Sequence, residues 1–238
     1  DTLVKTLRNS FRSNRVGHAF LLHGDRGVGK TSTARLIAKA INCTEKKDGD
    51  VEPCNTCSNC NSIQLGRHVD VIEMDGASKT GVNDIREIIE TVVYRAASAK
   101  FKVYIIDEVH MLSNSAFNAL LKTLEEPPEH VKFIFATTEI KKIPLTILSR
   151  VSRFDLKRLE NVALINHLTE ILQREGLSAE KEALKTIARE AEGSVRDALS
   201  ILDQVLVNCG SKIENQMVNE LLGKISKSET LNLLELII

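Results

Sequence analysis

The octet Gly24-Asp25-Arg26-Gly27-Val28-Gly29-Lys30-Thr31 follows the apolar run Ala19-Phe20-Leu21-Leu22 and opens a helix-forming stretch, Thr31 to Asn42. Glycines at this spacing let the backbone curl so that successive N–H groups point inward. The helix behind them turns its positive dipole end to the same point. A strand, a glycine loop and a helix in this order start a parallel sheet covered by helices, with a phosphate-binding loop at the strand's carboxyl end. The pattern predicts a bound nucleoside triphosphate, with Lys30 reaching the β- and γ-phosphates and the Thr31 hydroxyl coordinating Mg²⁺.

The chain continues the rhythm that such a sheet needs. Short β-like runs at Phe20 to His23, Val69 to Asp75, Phe101 to Asp107, Val131 to Thr138 and Ser152 to Leu156 alternate with helical stretches. Among these helices are Val82 to Tyr94, with Ile85, Ile88, Ile89, Val92 and Val93 on one face, and Ser115 to Leu124, closed by Pro127-Pro128. After about residue 160 the β-runs stop and three helices follow, punctuated by Asn161, Gly176, Ser178, Gly193 and Gly210. Their apolar spacing (Leu164, Leu168, Ile171, Leu172; Leu184, Ile187, Ala188, Ala191) reads as the core of a small helical domain.

Val103-Tyr104-Ile105-Ile106-Asp107-Glu108 is an apolar strand ending in two carboxylates, and the carboxyl end of such a strand faces the ligand crevice. Behind a phosphate loop in the same chain this is a Walker B element. Asp107 would hold Mg²⁺ through water and Glu108 would orient and deprotonate the attacking water. His110 lies close by, but Glu108 already fills the role of base. Thr137 and Thr138 end the next strand, within reach of an attacking water or γ-phosphate. Hydrolysis also needs positive charge at the γ-phosphate, which arginine supplies with fixed planar geometry. Arg150, in Leu148-Ser149-Arg150, could act on a neighbouring subunit's nucleotide, and Arg196, in Gly193-Ser194-Val195-Arg196-Asp197, opens the third helix of the small domain.

Cys43, Cys54, Cys57 and Cys60 stand in a C-x₁₀-C-x₂-C-x₂-C pattern among turn-forming Pro53, Asn55, Ser58 and Asn59. No run approaches the ~20 apolar residues of a membrane span, and the start lacks a signal-peptide layout, so the expected location is the reducing cytoplasm. Thiols there favour metal over disulfide. The expectation is a structural zinc site of four thiolates that stabilises a polar loop with almost no core of its own; Cys209 reads as a buried thiol. The 238 residues carry 32 basic and 32 acidic side chains, which excludes a surface basic throughout. Basic patches remain, with eight Lys/Arg against two Asp/Glu over residues 1 to 40 and six against two over 141 to 160.

The succession GDRGVGKT, the four cysteines in a turn-rich insertion, VYIIDEVHML, FNALLKTLEEPPEH, FIFATTE, LSR and GSVRDALSILDQ resembles the gamma/tau subunits of bacterial DNA polymerase III, the ATPases of the sliding-clamp loader. The resemblance runs from about Asp1 to near Asn208. It implies an AAA+ P-loop module with a helical lid, cofactors ATP, Mg²⁺ and Zn²⁺, and work in a heteropentamer that opens the sliding clamp and releases it on primed DNA after hydrolysis. By the same resemblance Arg150 is the arginine finger offered in trans, Thr137 or Thr138 is sensor 1 and Arg196 is sensor 2. The nucleotide contacts are residues 24–31, Ser32, Thr137 and Arg196, while Lys79 and Lys122 face DNA without reading its sequence. Val151 departs from the family, which usually has Cys there.

The resulting organisation is a nucleotide-binding domain over residues 1–159 with a zinc module at 43–60, a helical lid over 160–223, and the start of a third, collar domain at 224–238. Both ends look cut, since Leu231, Leu233, Leu234, Leu236, Ile237 and Ile238 begin an apolar helix with nothing left to cover it. Such a piece is expected to bind ATP weakly and to stay monomeric alone. Two other classes compete: another AAA+ motor acting on DNA, which lacks the cysteine insertion, and a non-hydrolysing scaffold, which has no chemical need of Lys30, Thr31, Asp107 and Glu108 together.

Overall fold

A computed structural model describes residues 2–13, 16–46, 51–78, 80–209 and 212–223. Lys79, the side chain of Cys209, Gly210 and residues 224–238, on which four of the sequence expectations fall, lie outside it. The chain divides into two compact units. One comprises residues up to Asp25 with Lys30–Leu156, and the other comprises Arg26–Gly29 with residues from Lys157 onward.

In the first unit, helix α1 (Thr2–Arg12) precedes strand β1 (Ala19–His23). Helices α2 (Lys30–Asn42) and α3 (Ser58–Gln64) lead to β2 (Val71–Asp75), α4 (Val82–Val92) to β3 (Lys102–Asp107), α5 (Asn114–Glu125) to β4 (Val131–Thr137), and α6 (Leu145–Leu148) to β5 (Ser152–Asp155). The strands form one parallel sheet in the order β2-β3-β4-β1-β5. Successive side chains alternate between its faces. Leu21, Tyr104, Ile106, Phe133 and Phe135 meet Ile85 and Ile88 of α4 and Phe117, Leu120 and Leu124 of α5 on one face. Phe20, Leu22, Val103, Ile105, Ile134 and Ala136 meet Ala34, Ile37 and Ile41 of α2 on the other. Because both faces are covered, these strands read as continuous apolar runs. Each valine, leucine, isoleucine or phenylalanine among them contributes about 1.5–3 kcal/mol on burial.

Two departures from the sequence reading matter. Strand β2 starts at Val71 rather than Val69, because Asp70 is drawn inward. Its carboxylate accepts the N–H groups of Ala97 (2.7 Å), Ser98 (2.7 Å) and Ala99 (2.9 Å) and the Ser98 hydroxyl (3.0 Å), pinning the loop ahead of β3. Burial pushes this carboxyl's pKa up, but those donors outweigh it and hold it below the ordinary value. The cysteine stretch, expected to be a loop almost without a core, contains α3, whose Ile63 is buried in the core under α2. Asn59 Nδ2 donates to the Asn42 carbonyl (2.9 Å), and Lys39 of α2 donates to Asn55 Oδ1 (3.2 Å) and to Gln64.

The second unit contains α7 (Asn161–Arg174), β6 (Ser178–Ala179), α8 (Lys181–Glu190), α9 (Val195–Cys209), β7 (Lys212–Ile213) and α10 (Asn215–Leu221). Leu164, Leu168, Leu172, Leu184, Ile187, Ala188 and Ala191 of the core read from the sequence are buried together, Leu202, Val205, Ile213 and Val218 complete it, and Ile171 is only partly buried. The sequence shows three helices here; the structure adds α10 and a two-residue parallel pairing of β6 with β7. Strands of two residues carry no alternation, and α10 is only two turns long, so neither leaves a periodic signal.

Replacing Asp70 by Asn turns an amide N–H toward backbone donors and is expected to lower folding stability by about 2–3 kcal/mol. Urea denaturation measures it. Since the folded carboxyl is held below its unfolded value, its contribution is complete above about pH 4 and is lost as the pH falls through the folded value, so the two proteins converge on acidification.

Candidate functional site

The strand register sets the site. His23 at the end of β1 pairs with Thr137 at the end of β4, and Ile106 of β3 pairs with Phe135, so the carboxyl ends of three adjacent strands finish near one level. Gly24 N–H donates to the Thr137 carbonyl (3.3 Å) as the chain leaves the sheet. Lys30, the first residue of α2, is only 6% exposed, and its ammonium donates to the carbonyls of Gly24 (3.0 Å) and Asp25 (2.9 Å). Burial lowers its pKa, against the pull of Glu108, Asp107 and Asp25. The Thr31 hydroxyl donates to Asp107, so the two expected magnesium ligands already meet; Ser32 follows on α2 and is exposed.

Glu108 leaves β3 in the left-handed region, with φ of +43°, a conformation that costs a non-glycine residue about 1–3 kcal/mol. Its neighbours hold it there. The Asp107 carboxylate accepts the Glu108 N–H (2.9 Å), and Gly76 N–H donates to the Asp107 carbonyl (2.8 Å). Gly76 must be glycine, because a Cβ there would lie 2.8 Å from the Glu108 carbonyl oxygen and 2.9 Å from that of Asp107. The Glu108 carboxylate accepts the Thr138 hydroxyl (3.1 Å). Thr137, fully buried, instead faces His110 Nδ1 (3.0 Å) and accepts the Glu139 N–H (3.0 Å). His110, which the sequence reading set aside, touches this cluster on three sides, and only its place two residues after Glu108 could have signalled it.

Arg26–Gly29 pack with the second unit. The Gly27 carbonyl accepts N–H groups from Val195 (3.1 Å) and Arg196 (3.4 Å) at the start of α9. Gly27 has φ of +79°, and a Cβ on it would stand 2.0 Å from Ser194 Oγ. Val28 and Arg26 flank it in the same segment. Arg150 has different partners within the first unit: its guanidinium donates to Glu125 (2.7 Å), the Thr146 carbonyl (2.6 Å) and Ser149 Oγ (3.0 Å). Lys122 is exposed on α5.

The sulfurs of Cys43, Cys54, Cys57 and Cys60 all lie within 4.8 Å of one another, close to the S···S separation of about 3.8 Å that a tetrahedral zinc with 2.3 Å bonds imposes. Backbone N–H groups point at them: Cys57 N at Cys54 Sγ (3.2 Å), Cys60 N at Cys57 Sγ (3.4 Å) and Cys54 N at Cys43 Sγ (3.4 Å). Burial raises the Cys57 thiol, yet the donors of Cys60 and Thr44 outweigh it and bring it down to about 6. Burial and the adjacent sulfurs push Cys60 up to about 12. A divalent cation bound among these sulfurs would displace the thiol protons. The donor set is compatible with zinc.

Residues 1–160 match the family model described as DNA polymerase III, delta subunit, and residues 163–211 match that of the DNA polymerase III clamp loader subunit, ATPase lid domain. The chain is 48% identical to DNA polymerase III subunit tau of Escherichia coli (strain K12) over 98% of this chain and 36% of that protein. It is 50% identical to subunit tau of Bacillus subtilis (strain 168) over 95% and 41%, and 48% identical to subunit gamma of Buchnera aphidicola subsp. Schizaphis graminum over 93% and 60%. The chain therefore spans about a third of the length of the Escherichia coli relative. Among solved structures, the Thermotoga maritima RuvB Holliday junction branch migration motor superposes with a TM-score of 0.63 at 18% identity, covering 92% of this chain and 67% of that one, a likeness of fold. Among the described residues no helix is long and apolar enough to cross a membrane.

Gly27→Ala and Gly29→Ala each force a left-handed alanine, at about 1–2 kcal/mol, but only the first also collides with Ser194. Thermal denaturation is expected to rank Gly27→Ala as clearly the more destabilising. Equal losses would show that the Ser194 approach has no weight.

Proposed function

The chain belongs to the DNA polymerase III clamp-loader subunits of the gamma/tau kind, and from that membership we propose that it is the ATP-binding and ATP-hydrolysing part of such a subunit. The observation that carries the reading is the convergence of Lys30, Thr31, Asp107, Glu108 and Thr138 at the carboxyl ends of β1, β3 and β4. Lys30 would leave the loop carbonyls for the β- and γ-phosphates. Thr31 and Asp107 would hold Mg²⁺, which lowers the charge repelling a nucleophile. Glu108 would take the proton of the attacking water while Thr138 orients it, and sensor 1 is accordingly assigned to Thr138 rather than Thr137. Residues 24–29 would present N–H groups to the phosphates. Arg196, at the segment that hydrogen-bonds Gly27, would sense the γ-phosphate as sensor 2.

Arg150 would complete hydrolysis in a neighbouring subunit's site, in a heteropentamer with other clamp-loader subunits that places the sliding clamp on primed DNA. The four cysteines would hold one structural Zn²⁺. The domain limits of 1–159, 160–223 and 224 onward remain part of this proposal, as do phosphate contacts from Lys79 and Lys122 to DNA. A scaffold that binds without hydrolysing has no use for all four of Lys30, Thr31, Asp107 and Glu108.

In the full-length protein, Lys30→Ala is expected to weaken ATP binding about 100-fold, equal to about 2.7 kcal/mol, by titration with a fluorescent ATP analogue; unchanged affinity refutes the phosphate-loop role. Arg150→Ala should spare binding and cut clamp- and DNA-stimulated turnover of the assembled complex about 1,000-fold. For the metal, elemental analysis of freshly reduced protein should find one zinc per chain, and Cys57→Ser should lose it and lower the Tm.

A further inference from the structure

The base assigned above to Glu108 stands on strained backbone with a side chain one-third exposed, so the strand alone does not fix where its carboxylate points. Thr138 holds it from one side. On the other side lies His110, in the single turn Val109–Met111 that follows Glu108 and is anchored by Val109, which is 1% exposed. The imidazole is 6% exposed and must satisfy its nitrogens inside the protein. Nδ1 lies 3.0 Å from Thr137 Oγ1 and 3.3 Å from Glu108 Oε2, and Nε2 lies 3.4 Å from Glu139 Oε1. Thr137 Oγ1 already accepts the Glu139 N–H, so its hydroxyl proton is free to point at Nδ1 when that nitrogen is bare, and Nδ1–H points between Thr137 and Glu108 when it is not. Only the Nδ1–H form braces the base against the end of β4, because a bare Nδ1 and the Glu108 carboxylate are both acceptors.

We propose that His110 is the positioning residue of Glu108: through Nδ1 it keeps the carboxylate in register with Thr137 and Thr138, while taking no part in proton transfer itself. A base must meet the attacking water, and this imidazole is enclosed between Glu108, Thr137 and Glu139. The inference rests on Glu108 being the base, and the chemistry it serves is hydrolysis of a magnesium-bound triphosphate.

The test uses the full-length chain assembled with its partner subunits, with ATP as the probe, and compares turnover with ATP affinity. His110→Ala is expected to lower kcat about 10- to 100-fold, the range for a misplaced reacting group, with ATP affinity within about twofold of wild type. His110→Asn keeps a nitrogen near the Nδ1 position and should recover most of the turnover; His110→Gln keeps one near Nε2, on the Glu139 side, and should not. Wild-type turnover in His110→Ala, or in His110→Gln should the alanine variant fail to fold, overturns the proposal, as does equal loss of affinity and turnover in both His110→Ala and His110→Asn. Glu108→Gln runs in parallel. If it hydrolyses normally, the assignment of the base fails; if it is inactive while His110→Ala is normal, only the positioning role fails.

Discussion

Strand β4 is buried along all seven of its residues and sits between β3 and β1, and the geometry of the site descends from that burial. A strand packed on both faces cannot slip by one residue without turning Phe133 and Phe135 out of one core and Ile134 and Ala136 out of the other. The Tyr104 ring of β3, stacked on Phe133 of β4 with centroids 5.4 Å apart, ties the two strands in that register. With the register locked, Asp107, Thr137 and His23 must finish side by side, and the loop after β1 must begin beside the carboxylates after β3. The site is the edge of a core that could not be arranged otherwise.

At that edge the electrostatics are poised. An ammonium enclosed by the fold is destabilised by loss of water, which two carbonyls and the field of three carboxylates offset only in part. Those contacts are interchangeable with phosphate oxygens, which offer the same acceptors with more charge. The left-handed Glu108 is the strained counterpart, kept in place by Gly76, Asp107 and the residues at the end of β4.

How much of this the sequence disclosed follows from the range of the interactions. Strands β1, β3 and β4 were legible because a doubly buried parallel strand leaves a continuous apolar run, and the helices α2, α4 and α5 because an amphipathic helix leaves a periodic one; β2 and β5, with one buried residue each, were placed by the alternation of runs around them. The phosphate loop and the acidic pair were legible because their chemistry demands fixed residue types at fixed spacing. Asp70 was not, since its partners lie 27 to 29 positions away and it was read as one position of a β-run beginning at Val69. Gly76 was missed because its reason is a backbone oxygen on another strand. The choice between Thr137 and Thr138 depended on which hydroxyl the twist of β4 turns toward Glu108. The cysteine stretch misled because its polarity masked Ile63, one side chain that carries the module into the core.

The pair between Arg150 and Glu125 has an energetic meaning of its own. Both side chains are about a third to a half exposed, and such a pair is worth about 0–1 kcal/mol, so letting go of it is cheap. The guanidinium is nonetheless already extended and oriented by the Thr146 carbonyl and Ser149, which means most of its rotamer freedom was surrendered when the chain folded. In the role proposed for it, this arginine is a docked reserve: ordered beforehand, weakly tethered, and ready to trade one carboxylate for a more highly charged phosphate.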